Sequence, residues 1–277
     1  MSALAAAPGA GRPARRTRPV SDVLVLAIRN LTHIAREPLR LSDVVIQPVV
    51  FTLLFGYVLG AAVSGTGSYT QFAIAGLLAM NLATSATGTA IGLSSDLAGG
   101  VIDRFRTLPV WRPAILVGRT ISDLLGAALC AAMVAVTGLV MGWRPAGSIP
   151  AAIAGFVLFL LFSYGLSWAC ACLALVVDGP EAAQGISLVI LFPLAFISNA
   201  LVPTGHMPAV LRAVADWNPL SAVTAAARQL WANPNPSASV QAWPMQHPVL
   251  AAVGWSAGLI AVFAPLAAWL YRRRAAS

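Results

Sequence analysis

The chain has 277 residues, of which 58% are hydrophobic and only 9% charged, with a mean hydropathy of +0.81. A water-soluble domain carries about 25% charged residues, so this composition excludes a soluble globular protein and points to lipid as the main solvent. The net charge of +8 comes wholly from arginine, since the sequence contains no lysine; a Walker A phosphate loop, which needs a Lys after its Gly-rich turn, is thereby excluded.

Residues 1–20 are basic and Pro-rich and lack the apolar core of a signal peptide, so a disordered cytosolic tail is expected there. Over residues 21–41, Val23, Leu24, Ala27, Leu31 and Ile34 recur at steps of three or four, while Asp22, Arg29, Asn30, His33 and Arg36 occupy the other side. That spacing predicts an amphipathic helix, ended by Pro38, that lies in the cytoplasmic membrane interface or, alternatively, packs on a partner protein.

Residues 42–277 hold six apolar runs, 44–63, 69–93, 114–141, 149–177, 182–201 and 249–271. Each approaches or exceeds the roughly 20 residues that a membrane-crossing helix needs. The runs are continuous rather than alternating with period two, which argues against a β-barrel. The expected fold is an all-α integral membrane domain of six transmembrane helices. Six crossings put both termini on one side, and that face gathers fourteen of the seventeen arginines, leaving Arg144, Arg212 and Arg228 opposite. By the positive-inside rule the rich face is cytoplasmic.

The first run offers Phe51 and Phe55 as aromatic candidates for substrate contact, with lipid-facing or core packing as the alternative. In the second, Asn81, Thr84, Ser85, Gly88, Gly92 and Ser95 follow at helical steps along one face. This is either close helix packing through small residues, with Gly88 and Gly92 as a GxxxG pair, or the mildly polar wall of a substrate path.

Between the second and third runs, Arg104, Arg106 and Arg112 stand with Asp96 and Asp103, while Val101, Ile102, Phe105 and Leu108 share a face of a short helix stopped by Pro109. Two readings stay open: a charged, aromatic knob for a cytosolic partner, or a loop whose arginines serve topology alone. Asp123 is the one clear candidate for proton coupling, four residues from Arg119 near the start of the third run, and reads as an i,i+4 ion pair rather than a lone proton carrier.

In the fifth run Pro193 is expected to kink the helix, with Phe192, Phe196 and Asn199 near its outer end as further candidates for contact with a large apolar ligand. After it, Pro203, Pro208 and Pro219 break an apolar, Trp-bearing stretch into short helical pieces expected at the outer interface. Cys130, Cys170 and Cys172 lie within apolar runs without neighbouring ligands and read as small buried hydrophobes. Ser163, Ser167 and Ser187 have no His or carboxylate at fixed local spacing, so no hydrolytic constellation is apparent.

Three stretches carry a resemblance: "IRNLTHIAREPLRLSDVVIQPVVFTLLFGYVLG" around the first run, "DLAGGVIDRFRTLPVWRPAILVGRTISDLL" in the charged loop and "LVPTGHMPAVLRAVADWNPLSAVTAAARQL" after the fifth. In this order the sequence resembles the permease subunits of ABC type-2 exporters, more narrowly the daunorubicin-resistance type. The resemblance implies a bacterial, actinobacterial plasma-membrane permease with no catalytic residue and no cofactor of its own. ATP and Mg would sit on a separate nucleotide-binding ATPase subunit. It further implies a second permease copy, identical or sister, a hydrophobic or lipid-like substrate, contact with membrane lipids, and no role for nucleic acid.

On that likeness Arg29 and Arg36 belong to an interfacial connecting helix, Asp103, Arg104, Phe105 and Arg106 to a cytoplasmic coupling helix received by the ATPase, and residues 203–228 to an extracellular re-entrant cap. "DLAGG" lacks the charge often found there in the family. The rival classes are a proton-coupled secondary transporter, which would depend on Asp123, and a membrane-embedded enzyme.

Overall fold

Proline opens most of the helices, as suits a residue whose fixed φ fits the first turn and whose missing N–H is not needed there. The computed structural model describes residues 38–63, 66–99, 114–236 and 240–274. In it Pro38, Pro180, Pro219 and Pro248 are the first residues of α1 (Pro38–Val63), α5 (Pro180–Phe196), α7 (Pro219–Leu230) and α9 (Pro248–Arg274). Pro150 and Pro244 are the second residues of α4 (Ile149–Val176) and α8 (Trp243–Gln246). The remaining helices are α2 (Thr66–Ala98), α3 (Ala114–Val140) and α6 (Ala209–Trp217), with a 3₁₀ turn at Thr204–His206. Among the described residues every regular element is helical.

Side-chain caps add to the prolines at two starts. Ser148 Oγ accepts the Ala151 N–H ahead of α4, and Asn218 Oδ1 accepts the Leu220 N–H ahead of α7.

Among the described residues four helices are long and apolar enough to cross a membrane: α2, α3, α4 and α9. α1 and α5 contribute the shorter apolar stretches Val45–Ala61 and Pro180–Phe196. α2 is the pillar, packing against α1, α3, α4, α5 and α7. In its apolar window 78% of residues are buried, against 17% in α9, which places α2 at the centre and α9 at the rim. Ala73, Ala75, Ala79, Ala83, Ala86 and Ala90 are all buried along it, so small side chains let neighbouring helices approach. Its 33 residues span on the order of 50 Å at about 1.5 Å per residue, against a hydrocarbon core of about 30 Å. The pillar therefore reaches beyond the apolar layer.

One end of the bundle is capped. The α3–α4 turn, the segment after α5 and α7 gather around the first turns of α2, and α6 and α8 pack on α7. The other end carries the close of α2, the start of α3 and the Arg274–Asp178 pair that ties the end of α9 to the segment after α4.

The apolar run 182–201 continues past its helix, which stops at Phe196 instead of Leu201. Tertiary contact decides this: the Ala200 carbonyl lies against Gly76 so closely that a Cβ on Gly76 would overlap it, and the Asn199 and Ala200 carbonyls accept hydrogen bonds from Arg228. Residues that turned on through another helical turn would forfeit both contacts. The three cysteines are buried and unbridged, with Cys172 Sγ donating to the Phe263 carbonyl of α9.

Candidate functional site

Polar residues inside apolar helices mark where the bundle is not filled. α1, α2, α3 and α5 surround a cavity of about 510 Å³. From α2 it takes Asn81, Thr84, Ser85, Thr87, Gly88, Ile91 and Gly92, and from α3 Arg119, Ser122, Asp123, Gly126 and Cys130. Gln47 and Pro48 of α1 and Gln184 and Leu188 of α5 complete the lining.

The helical spacing of Asn81, Thr84 and Ser85 thus does form one polar wall. Their backbones explain how such a wall survives among apolar helices. Asn81 Nδ2 donates to the Leu77 carbonyl at 2.8 Å, Thr84 Oγ1 to Met80 at 2.9 Å and Thr87 Oγ1 to Thr84 at 2.6 Å. One Asn81 N–H and the Thr84 and Thr87 hydroxyl protons are thus taken up within α2, and the oxygen lone pairs of these side chains remain available to the cavity.

A charged cluster closes the cavity towards the uncapped end. Arg119 Nη1 lies 3.2 Å from Asp96 Oδ2, its Nε 3.5 Å from Asp123 Oδ1, and its Nη2 3.2 Å from the Gly88 carbonyl. Thr89 Oγ1 donates to Asp123 Oδ2 at 2.7 Å. The i,i+4 pairing expected of Arg119 and Asp123 is present and extended across to α2. Gly92 serves this cluster, since a Cβ there would overlap the Arg119 guanidinium. The glycines of the GxxxG pattern admit an arginine fork, and Gly88 and Gly126 otherwise face open space.

The other substrate-path candidates lie elsewhere. Phe51 and Phe55 stack at 4.4 Å between ring centroids on α1, half-buried against the core and outside the cavity lining. Phe192 and Phe196 stack at 4.4 Å on α5 and are 60% and 46% exposed, so they face outward from the described bundle. Asn199 is fully buried at the capped end, where its N–H donates to Ser221 Oγ and its carbonyl accepts from Arg228. Arg29, Arg36, Asp103, Arg104, Phe105 and Arg106 lie outside the described residues.

The residues missed as cavity lining are Gln47, Thr87, Ser122 and Gln184. Each is a polar side chain interrupting an apolar stretch, a signal present in the sequence, but their convergence needs four helices to be placed.

The capped end is assembled on Arg228, which is fully buried. Its Nε donates to the Phe72 carbonyl at 3.0 Å, Nη1 to Asn199 at 3.0 Å and Nη2 to Ala200 at 2.8 Å, while the guanidinium lies 3.7 Å from the Phe72 ring centroid. Burial works against the charge and draws its pKa down. Tyr69 Oη donates to the Leu201 carbonyl beside it.

Around this lies a polar lattice: Asn218 Nδ2 reaches the Leu194 and Ile197 carbonyls, and Asn233 joins Trp143 Nε1, Gln71 Oε1 and the Arg144 carbonyl. Thr204 donates to Asp216, whose carboxyl burial pushes above its usual range. Each nitrogen of the Arg228 guanidinium donates to a carbonyl, and rings pack around Trp231, so this end is held closed.

A family profile described as an ABC-2 type transporter matches residues 21–231. The daunorubicin resistance ABC transporter permease protein DrrB1 of Streptomyces coeruleorubidus is 35% identical over 264 residues, spanning 95% of this chain and 90% of its own. A probable doxorubicin resistance ABC transporter permease protein, DrrC of Mycobacterium tuberculosis, is 25% identical over 262 residues, 92% and 89% of the two chains. The putative transport permease ycf38 of Pyropia yezoensis is 26% identical over 221 residues, 78% and 76%.

Proposed function

This chain belongs to the ABC-2 type transporter family, and we propose that it is the six-span permease subunit of an ATP-driven exporter of hydrophobic or amphiphilic molecules, drugs or lipids. The observation that carries the reading is the polar-walled cavity of about 510 Å³ within a bundle of apolar helices. A site of that size, with polar side chains on its wall and apolar helices around it, suits an amphiphile. Asn81, Thr84 and Ser85 line its path. Phe51, Phe55, Phe192 and Phe196, on the sides of α1 and α5, are offered to a substrate arriving from lipid. Asn199 shapes the segment at which the path is closed.

In this reading the uncapped end faces the cytoplasm with both termini, in a bacterial plasma membrane. α5 with residues 197–202 makes the fifth crossing and α9 the sixth, and residues 203–228 form the outer re-entrant cap. The chain itself binds no nucleotide. A separate ATPase subunit carrying ATP and Mg presses on Asp103, Arg104, Phe105 and Arg106 and on the helix bearing Arg29 and Arg36. Two permease copies, identical or sister, share the assembly. ATP binding must favour one permease conformation by differential free energy, since a partner that bound both states equally would shift nothing.

The test is reconstitution with the ATPase subunit and a fluorescent amphiphile. Arg104→Glu with Arg106→Glu is expected to leave membrane insertion intact and to disconnect ATP hydrolysis from transport. Unchanged transport by that variant, or nucleotide-free movement of the amphiphile by this chain alone, overturns the reading. Asp123 is engaged through both oxygens by Arg119 and Thr89, an arrangement that favours a structural role over proton carriage.

A further inference from the structure

The seam between α2 and α3 is packed unevenly. Towards the capped end Gly138 is in tight contact with Ile74, a prospective Cβ standing 3.0 Å from the Ile74 side chain. Beside the cavity the seam is hollow, and Gly88 and Gly126 have nothing within 4 Å of the place a Cβ would occupy. What joins the two helices there is the Arg119 fork, reaching from α3 to Asp96 and to the Gly88 carbonyl of α2, together with the Thr89 hydroxyl reaching from α2 to Asp123. Arg119 and Asp123 are only 12% and 15% exposed, so these are contacts in a partly desolvated setting, where removing one partner strands the charge of the other.

α2 ends at Ala98 and α3 begins at Ala114, so the same two helices bracket residues 100–113. We propose that Arg119 is a positioning residue: its tie to Asp96, Asp123 and Gly88 makes the ends of α2 and α3 move as one body, so that a displacement of the intervening segment reaches the cavity wall. This rests on the permease reading above. With the tie in place, a push on residues 100–113 shifts Thr84, Ser85 and Ser122 together. Once it is cut, the hollow seam lets the helix ends part, and the push is dissipated before it reaches the cavity. Gly92 belongs to the device because only a residue without Cβ leaves room for the fork.

The experiment uses the complete transporter, permease with its ATPase subunit, in proteoliposomes. Cys130, Cys170 and Cys172 are replaced by Ala, and spin labels are placed at the exposed positions Ala98 and Leu125. A narrow label-to-label distance is expected in the parent protein, and a broadened one in Arg119→Met and in Gly92→Ala, with Arg119→Lys between them because it keeps the charge but loses the fork. Amphiphile moved per ATP hydrolysed is expected to fall about fivefold or more in the two broadened variants, with ATPase subunit binding retained.

An unchanged distance distribution in Arg119→Met and Gly92→Ala overturns the tie, whatever hydrolysis does. A broadened distribution with undiminished transport per ATP overturns the positioning role. Failure of the permease reading shows separately, as absence of ATP-linked transport in the parent, while the distance measurement still reports on the tie.

Discussion

Arg228 and Arg119 hold the two ends of this bundle by opposite means. At the capped end Arg228 is wholly buried, and its fork is met by three backbone carbonyls and an aromatic face. Carbonyls cannot be protonated and do not swing on rotamers, so the joint is fixed once the chain has folded. At the other end Arg119 is met chiefly by two carboxylates on flexible side chains, and it borders the cavity. One arrangement suits closure and the other suits a joint that must hold while its surroundings move. A guanidinium serves both because its planar fork satisfies several acceptors at once.

The sharpest way to break this comparison is Arg228→Met, which leaves the carbonyls of Phe72, Asn199 and Ala200 without their donor. A loss of about 3 kcal/mol is expected, at about 1 kcal/mol or more for each stranded carbonyl, read as a large fall in thermal unfolding temperature in detergent and in yield from membranes. A stable Arg228→Met protein would mean the capped end does not depend on its clamp.

Next in size is Gly76→Ala, where the new Cβ meets the backbone of Ala200 rather than a flexible side chain. About 1–3 kcal/mol of destabilisation is expected from such overpacking, by the same melting measurement.

The cavity wall should behave differently. Thr84→Val with Ser85→Ala is expected to change stability by no more than about 0.5 kcal/mol while altering the affinity for transported amphiphiles, measured by ligand titration. If stability and not affinity responds, the wall is packing and not path.

Asp216 sharpens the capped side through pH. Burial raises its pKa from 3.8, against the lowering effects of Thr204 and Arg212. Between 3.8 and that raised value the folded protein binds more protons than the unfolded one. Stability therefore falls as pH climbs through this window, and Asp216→Asn should flatten that slope in melts taken across acidic pH. The smallest effect belongs to Asp178→Ala: Asp178 is 92% exposed beside Arg274, and no more than about 0.5 kcal/mol is at stake.

Much of this was legible along the chain. The six apolar runs all fall on helices, four of which, among the described residues, are long and apolar enough to cross a membrane, while α1 and α5 hold shorter apolar stretches and residues 182–201 are curtailed at Phe196. The prolines after the fifth run stand at the starts of short helices, Pro208 just ahead of α6 and Pro219 opening α7. Asn81, Thr84 and Ser85 were readable as one face because helical periodicity is a local property, and Arg119 with Asp123 for the same reason. Phe51, Phe55, Phe192, Phe196 and Asn199 did not join them, because aromatic or amide character in an apolar helix does not say which way a side chain faces. Arg228 looked like one of three stray arginines on the sparse face. Its role depends on carbonyls from residues 72, 199 and 200, remote in sequence.

The sequence alone carried the helical class and the places of the apolar stretches along the chain. These follow from composition and from the 3.6-residue period, which act over a turn or two of chain. Only the tertiary structure decided where α5 stops, which glycine yields to a backbone and which to a guanidinium, and where the bundle stays hollow. Those outcomes are set by close approach between segments tens to more than a hundred residues apart, where one Cβ or one carbonyl decides whether two surfaces meet.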